Sequence, residues 1–164
     1  MQLKGKCVLV VDDDPLVGAS HVDMLEDSGC QAILAGSIAT AWNAIKARRF
    51  DAIVLDHDLG DGKGFDLLKL MCKASAPVPA CIYLSGAGSG VLAEAAAMQE
   101  VCSAIAKPVS KEALLKALLN ALDGQSGGSI QERYPKLVGD EEREMLLGSI
   151  IPAQAHDSEG GDGK

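Results

Sequence analysis

Five short apolar runs recur along the first two thirds of the chain: CVLVV (7–11), QAILA (31–35), AIVL (52–55), ACIYL (80–84) and SAIA (103–106). Each is separated from the next by a longer stretch whose apolar residues step by three and four. Runs of continuous apolar β-type residues suit strands buried on both faces, and parallel strands need a crossover element of about a dozen residues between them. The alternation therefore predicts an α/β fold, a doubly wound five-stranded parallel sheet with five flanking helices. Pro15 to Ser28 carries Val17, Met24 and Leu25 and stops at Gly29, a residue suited to the left-handed position after a helix. Ser37 caps a second helix containing Ala41, Trp42 and Ile45, and Gly64 to Lys73 places Phe65, Leu67, Leu68 and Met71 on one face. Gly90 to Gln99 and Ser110 to Leu122 supply the fourth and fifth helices. Open sheets of this kind hold their ligands at the carboxyl ends of the strands, beside the reversal in strand order.

Composition narrows the function classes. The 164 residues hold 15 basic and 23 acidic side chains, for a net charge of -8, and only 3% are aromatic. A chain this acidic gains nothing from a polyphosphate surface, so direct nucleic-acid binding is not expected. Aromatic platforms for single strands are scarce. No run approaches the roughly 18 apolar residues that span a bilayer. The N-terminal MQLKGKCVLVVDDD passes straight into acids, so neither secretion nor membrane insertion is expected. Five cysteines (Cys7, Cys30, Cys72, Cys81, Cys102) without C-x-x-C spacing read as reduced structural thiols of a cytoplasmic protein.

Beyond Asp123 the composition shifts. Residues 124–164 hold 8 of the 18 glycines, with 4 basic and 8 acidic side chains. They read as a Gly-rich acidic tail attached to a domain over 1–123. GQSGGS (124–129) resembles a linker, and residues 140–150 pair a capping Asp140 with Met145, Leu146 and Ile150 at helical spacing. A short helix there and a solvated tail are both open, since an isolated helix of this length is marginal in water.

The chemistry-bearing residues stand at strand ends. The first strand runs into Asp12, Asp13 and Asp14; the third runs into Asp56, followed by Asp58 and Asp61. Carboxylates gathered at one sheet edge repel unless a cation or protons neutralise them, and an all-oxygen donor set favours Mg²⁺. Asp14 is set apart as the cap of a helix begun by Pro15. The fourth strand ends at Ser85-Gly86, a hydroxyl beside a backbone N–H, and the fifth at Lys107-Pro108, a cation aimed across an acidic pocket.

Through VLVVDDDP, IVLDHDLGDGKG, IYLSG and AKP, in that order, residues 7–123 resemble the receiver domain of two-component response regulators. The resemblance implies a flavodoxin-like sheet of order 2-1-3-4-5 and a phosphorelay role. Asp56 would accept a phosphoryl group from a histidine kinase or histidine phosphotransfer protein. Asp13, Asp56 and the backbone carbonyl of Asp58 would ligate Mg²⁺, with Asp12 acting through bound water. Ser85 and Lys107 would each engage a phosphoryl oxygen. The protein would then be no enzyme beyond self-phosphotransfer and autodephosphorylation at Asp56, and would signal by a changed surface to a downstream protein that the sequence does not name.

Three departures from the family pattern stand out. Ala104 occupies the place of an aromatic switch residue, Gly86 follows Ser85 where alanine is common, and Leu59-Gly60 replaces a Met-Pro pair before a loop with glycines at 60, 62 and 64, which predicts added mobility. His57, beside Asp56, is expected to be packed or partly exposed and to point away from it, because successive strand residues face opposite sides. Two alternatives follow: a pseudo-receiver interaction module without a working switch, favoured by Ala104, and a haloacid-dehalogenase-type phosphatase, favoured only by the Asp56-His57-Asp58 spacing. With 41 residues after Asp123 and no room there for a conventional output domain, output is expected through partner binding, phosphoryl shuttling or the tail. A homodimer or latch formed through the helix 4–strand 5–helix 5 face or the tail is a further expectation, and so is a chain excised from a longer regulator or hybrid kinase.

Overall fold

The computed structural model describes residues 3–123. The tail and its expected helix over 140–150 lie outside the described residues. Within them the chain runs β1 (Cys7–Val11), α1 (Pro15–Glu26), β2 (Gln31–Ala35), α2 (Ile38–Ala47), β3 (Ala52–Asp56), β4 (Asp58–Leu59), β5 (Gly62–Lys63), α3 (Gly64–Lys73), β6 (Ala80–Ser85), α4 (Ser89–Ala96), β7 (Val101–Ala106) and α5 (Lys111–Asp123). Five of the strands form one sheet in the order β2-β1-β3-β6-β7. Every neighbouring pair in it is parallel. The expected doubly wound order 2-1-3-4-5 is this sheet, with β6 and β7 as its fourth and fifth strands.

β1, β3 and β6 are buried along their whole length, and their side chains alternate between two cores as strand geometry requires. Leu9, Val11, Ile53, Leu55, Cys81 and Tyr83 face α2 and α3, joined by Ala95 of α4. Val8, Val10, Val54, Ile82 and Leu84 face α5, with Leu25 of α1. Aliphatic burial of about 1.5–3 kcal/mol per large side chain holds these layers. It sets the register Val8↔Ala52 and Asp56↔Leu84 that places the strand ends side by side.

Local signals set the helix starts. The Asp14 side chain accepts from the amides of Leu16 and Val17, with Pro15 at the first helical position. Ser37 accepts from the Thr40 amide while the Thr40 side chain accepts from the Ser37 amide, a capping box. The largest departures from the expected boundaries lie in three elements, with β3, β6 and α5 shifted by a single residue. α1 stops at Glu26, α4 runs Ser89–Ala96 and not to Gln99, and β7 begins at Val101. The earlier start of β7 accompanies a register shift opposite Cys81 and Ile82, where the strand is irregular and periodicity is hidden.

The loop after β3 is better tied than its glycines predict. β4 and β5 form a two-residue antiparallel ribbon pairing Asp58 with Lys63 and Leu59 with Gly62. The Asp61 carboxylate accepts from the Ile38 and Ala39 amides at 2.9 and 3.1 Å, capping α2 from 23 residues away. Asp66 accepts from the Lys63 amide at 2.8 Å. The three glycines thus serve a braced turn.

Candidate functional site

The carboxyl ends of β1, β3, β6 and β7 converge on one acidic pocket. Asp12 follows β1, is 2% exposed, and uses Oδ1 to accept from the Asp14 amide at 2.9 Å. Its Oδ2 accepts from Lys107 Nζ at 2.8 Å, and the same Nζ lies 3.1 Å from Asp56 Oδ1. One ammonium therefore bridges two carboxylates carried by adjacent strands. Asp13 completes the group: Asp12, Asp13 and Asp56 each offer a carboxylate oxygen, all within 4.8 Å of one another.

The electrostatics follow from burial. Asp56 is pushed above the ordinary carboxylate range, first by burial and then by the charges of Asp12 and Asp13, against the opposing hydrogen bond and charge of Lys107. Burial disfavours the Lys107 ammonium too, but its hydrogen bonds to Asp12 and Asp56 outweigh that and raise its pKa. The pocket thus holds more negative charge than one lysine offsets, so a second cation fits it. Three carboxylate oxygens at this spacing match the oxygen donor set of Mg²⁺ after a small contraction, since octahedral Mg²⁺ holds its ligands at about 2.0–2.1 Å.

Ser85 is buried at the end of β6, and its Oγ accepts from the Ala87 amide at 2.9 Å. Its carbonyl accepts from the Lys107 amide at 2.9 Å, tying the β6 and β7 ends together. The Asp58 side chain is exposed and turns away to pair with Lys63, whose hydrogen bond lowers its pKa. The convergent carboxylates are therefore those of Asp12, Asp13 and Asp56, without Asp58.

Comparison with known proteins decides the family: the response regulator receiver domain matches residues 8–119. The chain belongs to that family. The receiver domain is similar to the transcriptional regulatory protein GlrR of Escherichia coli K12, at 31% identity over 84% of this chain. The chain spans 31% of the length of that relative. Among solved structures it resembles a CheY-like receiver domain from Methanospirillum hungatei JF-1, with TM-score 0.61 and 27% identity over 73% of this chain and 95% of that one. It also resembles a receiver domain from Clostridium thermocellum, with TM-score 0.65 and 25% identity over 72% of this chain and 94% of that one.

Of the residues singled out by sequence, Asp12, Asp13, Asp56 and Lys107 meet in the receiver pocket, and Ser85 borders it. His57 is buried and faces away from the carboxylates: its Nδ1 lies 2.8 Å from the Tyr83 hydroxyl. Phe65 stacks on Tyr83 at 4.8 Å and meets His57 edge-on at 5.3 Å. Gly64 closes this cluster, because a Cβ there would stand 2.6 Å from the Asp56 carbonyl oxygen and 2.8 Å from the Tyr83 hydroxyl. Sequence reading missed this buried polar pair. Its signal was a tyrosine inside an apolar strand, which needs a partner for its hydroxyl. Tyr83 also stands opposite Ala104 in register.

Sequence reading also missed His21 on α1. It is 4% exposed, its Nδ1 has no hydrogen-bond partner among the described residues, and it lines a cavity of about 470 Å³ with Leu16, Met24, Lys107 and Pro108. Burial, then the Lys107 charge, holds its pKa below the ordinary histidine value, with Asp12 opposing.

Proposed function

We propose that this receiver domain takes a phosphoryl group on Asp56 from a phosphohistidine of a histidine kinase or phosphotransfer protein and signals through the resulting surface change. The observation that carries the reading is the Lys107 ammonium bridging Asp12 and Asp56 inside a cluster of three convergent carboxylates. An Asp56 oxygen forms the new bond to phosphorus as the P–N bond of the donor breaks, and the departing imidazole nitrogen takes a proton. A carboxylate attacking an anionic phosphoryl group needs charge neutralisation above all. Lys107 supplies part of it. Asp12, Asp13, Asp56 and the Asp58 carbonyl would hold Mg²⁺, which when bound supplies the rest and aligns the transfer.

After transfer, Ser85 would leave the Ala87 amide to donate its hydroxyl hydrogen to a phosphoryl oxygen, drawing in the loop before α4. Water attack on phosphorus would return Asp56 and release phosphate, so no other substrate is turned over. Leu16, 82% exposed beside the Lys107 pocket, offers an apolar foothold for a docking phosphodonor. Five free thiols accord with a cytoplasmic setting. Output to a downstream protein, or a homodimer through the face of α4, β7 and α5, belongs to the same proposal.

Intact mass with Mg²⁺ and acetyl phosphate tests it. Wild type should gain about 80 Da and Asp56→Asn should not. Absence of both an adduct and any consumption of acetyl phosphate would overturn the reading in favour of a pseudo-receiver, the alternative that Ala104 supports.

A further inference from the structure

At the sheet edge opposite the carboxylates lies a groove of about 400 Å³, lined by Lys46, Arg48, Arg49, Phe50, Pro77 and Pro79 among others. Three of the 11 basic residues before position 124 thus fall within four positions at the end of α2. Among the described residues, no carboxylate lies within ion-pair distance of Lys46, Arg48 or Arg49; Lys4, Lys69, Lys73 and Lys116 share that property, and clustering is what sets the three apart. Lys46 lies over the Trp42 ring at 5.8 Å, and Arg48 lies over Phe50 at 5.5 Å while donating to Cys7 Sγ. These contacts place Lys46 and Arg48 without neutralising them. A concentrated positive groove in a chain of net charge -8 calls for an anionic occupant.

We propose that the occupant is the chain's own segment 140–151, GDEERE continuing into MLLGSII from Gly139, bound in cis. Charge complementarity carries the choice: Asp140, Glu141, Glu142 and Glu144 offer four carboxylates within five positions, and Met145, Leu146 and Leu147 follow them. The groove offers both chemistries, since Lys46, Arg48 and Arg49 line it together with Phe50, Pro77 and Pro79. Reach permits it. α5 starts after the carboxyl end of β7 and returns along the sheet, so Asp123 ends at the edge where Phe50 and Pro79 lead into β3 and β6. A domain of this size is about 35 Å across, and the 16 residues 124–139 can span about 50 Å. Tethering raises the local concentration of the acidic segment to the millimolar range, which compensates for the weakness of exposed ion pairs.

The test uses the full chain. Carbodiimide at about 50 mM salt should join Lys46 to an acid of 140–144 within one chain, and the yield should fall at least fivefold in Arg49→Gln and at about 0.5 M salt. In parallel, Lys46 should react with an amine-selective ester at least threefold slower in wild type than in the variant carrying Asp140→Asn, Glu141→Gln, Glu142→Gln and Glu144→Gln, with exposed Lys69 and Lys116 as internal references. Equal Lys46 reactivity in both, or links spread evenly over all lysines, would overturn the proposal. Links found only between isotopically distinct chains would overturn its intramolecular form. Acetyl phosphate labelling in the same samples reports on the other edge, so failure of either proposal is visible separately.

Discussion

Tyr83→Phe removes one oxygen atom from the cluster beneath the acidic pocket and keeps everything else. Tyr83 is fully buried and His57 is 8% exposed, so no water replaces the lost partner. Burial also pushes the Tyr83 hydroxyl above its ordinary pKa, keeping it protonated and able to share a hydrogen with His57 Nδ1 across 2.8 Å. The substitution preserves the stack on Phe65 but strands the imidazole nitrogen, at about 1–3 kcal/mol for an unsatisfied buried polar group. For a folded unit near 120 residues that is a fall in Tm of about 3–6 °C per kcal/mol. His57→Leu leaves the hydroxyl hydrogen without its imidazole acceptor, although the Phe65 amide still bonds the oxygen, so it costs less, with the edge-on contact to Phe65 lost as well. The double variant removes both members of the pair and leaves only the Phe65 amide without its acceptor, as Tyr83→Phe already does, so the costs should fail to add by about 1–2 kcal/mol. Urea denaturation of the four proteins, compared at constant m, measures the coupling. Additivity within about 0.3 kcal/mol would refute the claim that the pair is a mutually dependent buried bond.

Asp56 has its pKa raised by the fold, so between the unfolded value near 4 and the higher folded value the native state binds more protons and stability falls as pH rises. Asp56→Asn should therefore raise Tm at pH 7 without Mg²⁺, and the gain should vanish below about pH 4; a lower Tm at pH 7 would show that the Lys107 pair dominates. His21 has its pKa lowered, so the unfolded state binds the extra proton and stability falls as pH drops below about 6.5. His21→Leu should flatten that slope in pH-resolved denaturation, and an unchanged slope would remove His21 as its source. Cys102 is exposed, while Cys30, Cys72 and Cys81 are buried with burial raising their pKa values, that of Cys72 to about 11. Iodoacetamide on the native protein should accordingly modify Cys102 first, and peptide mapping that finds faster labelling at Cys81 would contradict the packing.

The parts of this receiver legible in its sequence are those that short-range chemistry fixes. Continuous apolar runs specify strands buried on both faces, Asp14-Pro15 and Ser37 specify helix starts, and an acid at the end of one strand needs no tertiary knowledge to be noticed. The order of the sheet followed from family resemblance and topology rules, and the structure bears it out. What stayed hidden depends on partners distant in sequence. Asp61 looks like one more site acid, yet it caps a helix 23 residues earlier. Asp58 stands in the run of strand-end acids, yet its side chain is exposed and paired with Lys63. His57 and Tyr83 lie 26 residues apart, and only the β3–β6 register brings them together. The β7 start was hidden because an irregular register breaks the period-2 signal there.

Lys107 links the pocket to the surface without an aromatic ring at position 104. Its ammonium holds Asp12 and Asp56 at 2.8 and 3.1 Å, while its backbone amide donates to the Ser85 carbonyl at 2.9 Å. An ammonium has three donors, so two are committed and one remains for an incoming phosphoryl oxygen. On the proposed function, conversion of Asp56 to an acyl phosphate removes one carboxylate charge and sets phosphoryl oxygens nearby, and the lysine must redistribute its bonds. Any shift of its backbone is transmitted at once to Ser85 and hence to the loop leading into α4, because the two strand ends share a hydrogen bond. On the proposed function, a small Ala104 side chain would leave the connection between the pocket and the α4–β7 face to the backbone and to the Ser85 hydroxyl, whose present bond to Ala87 is the contact that transfer would exchange.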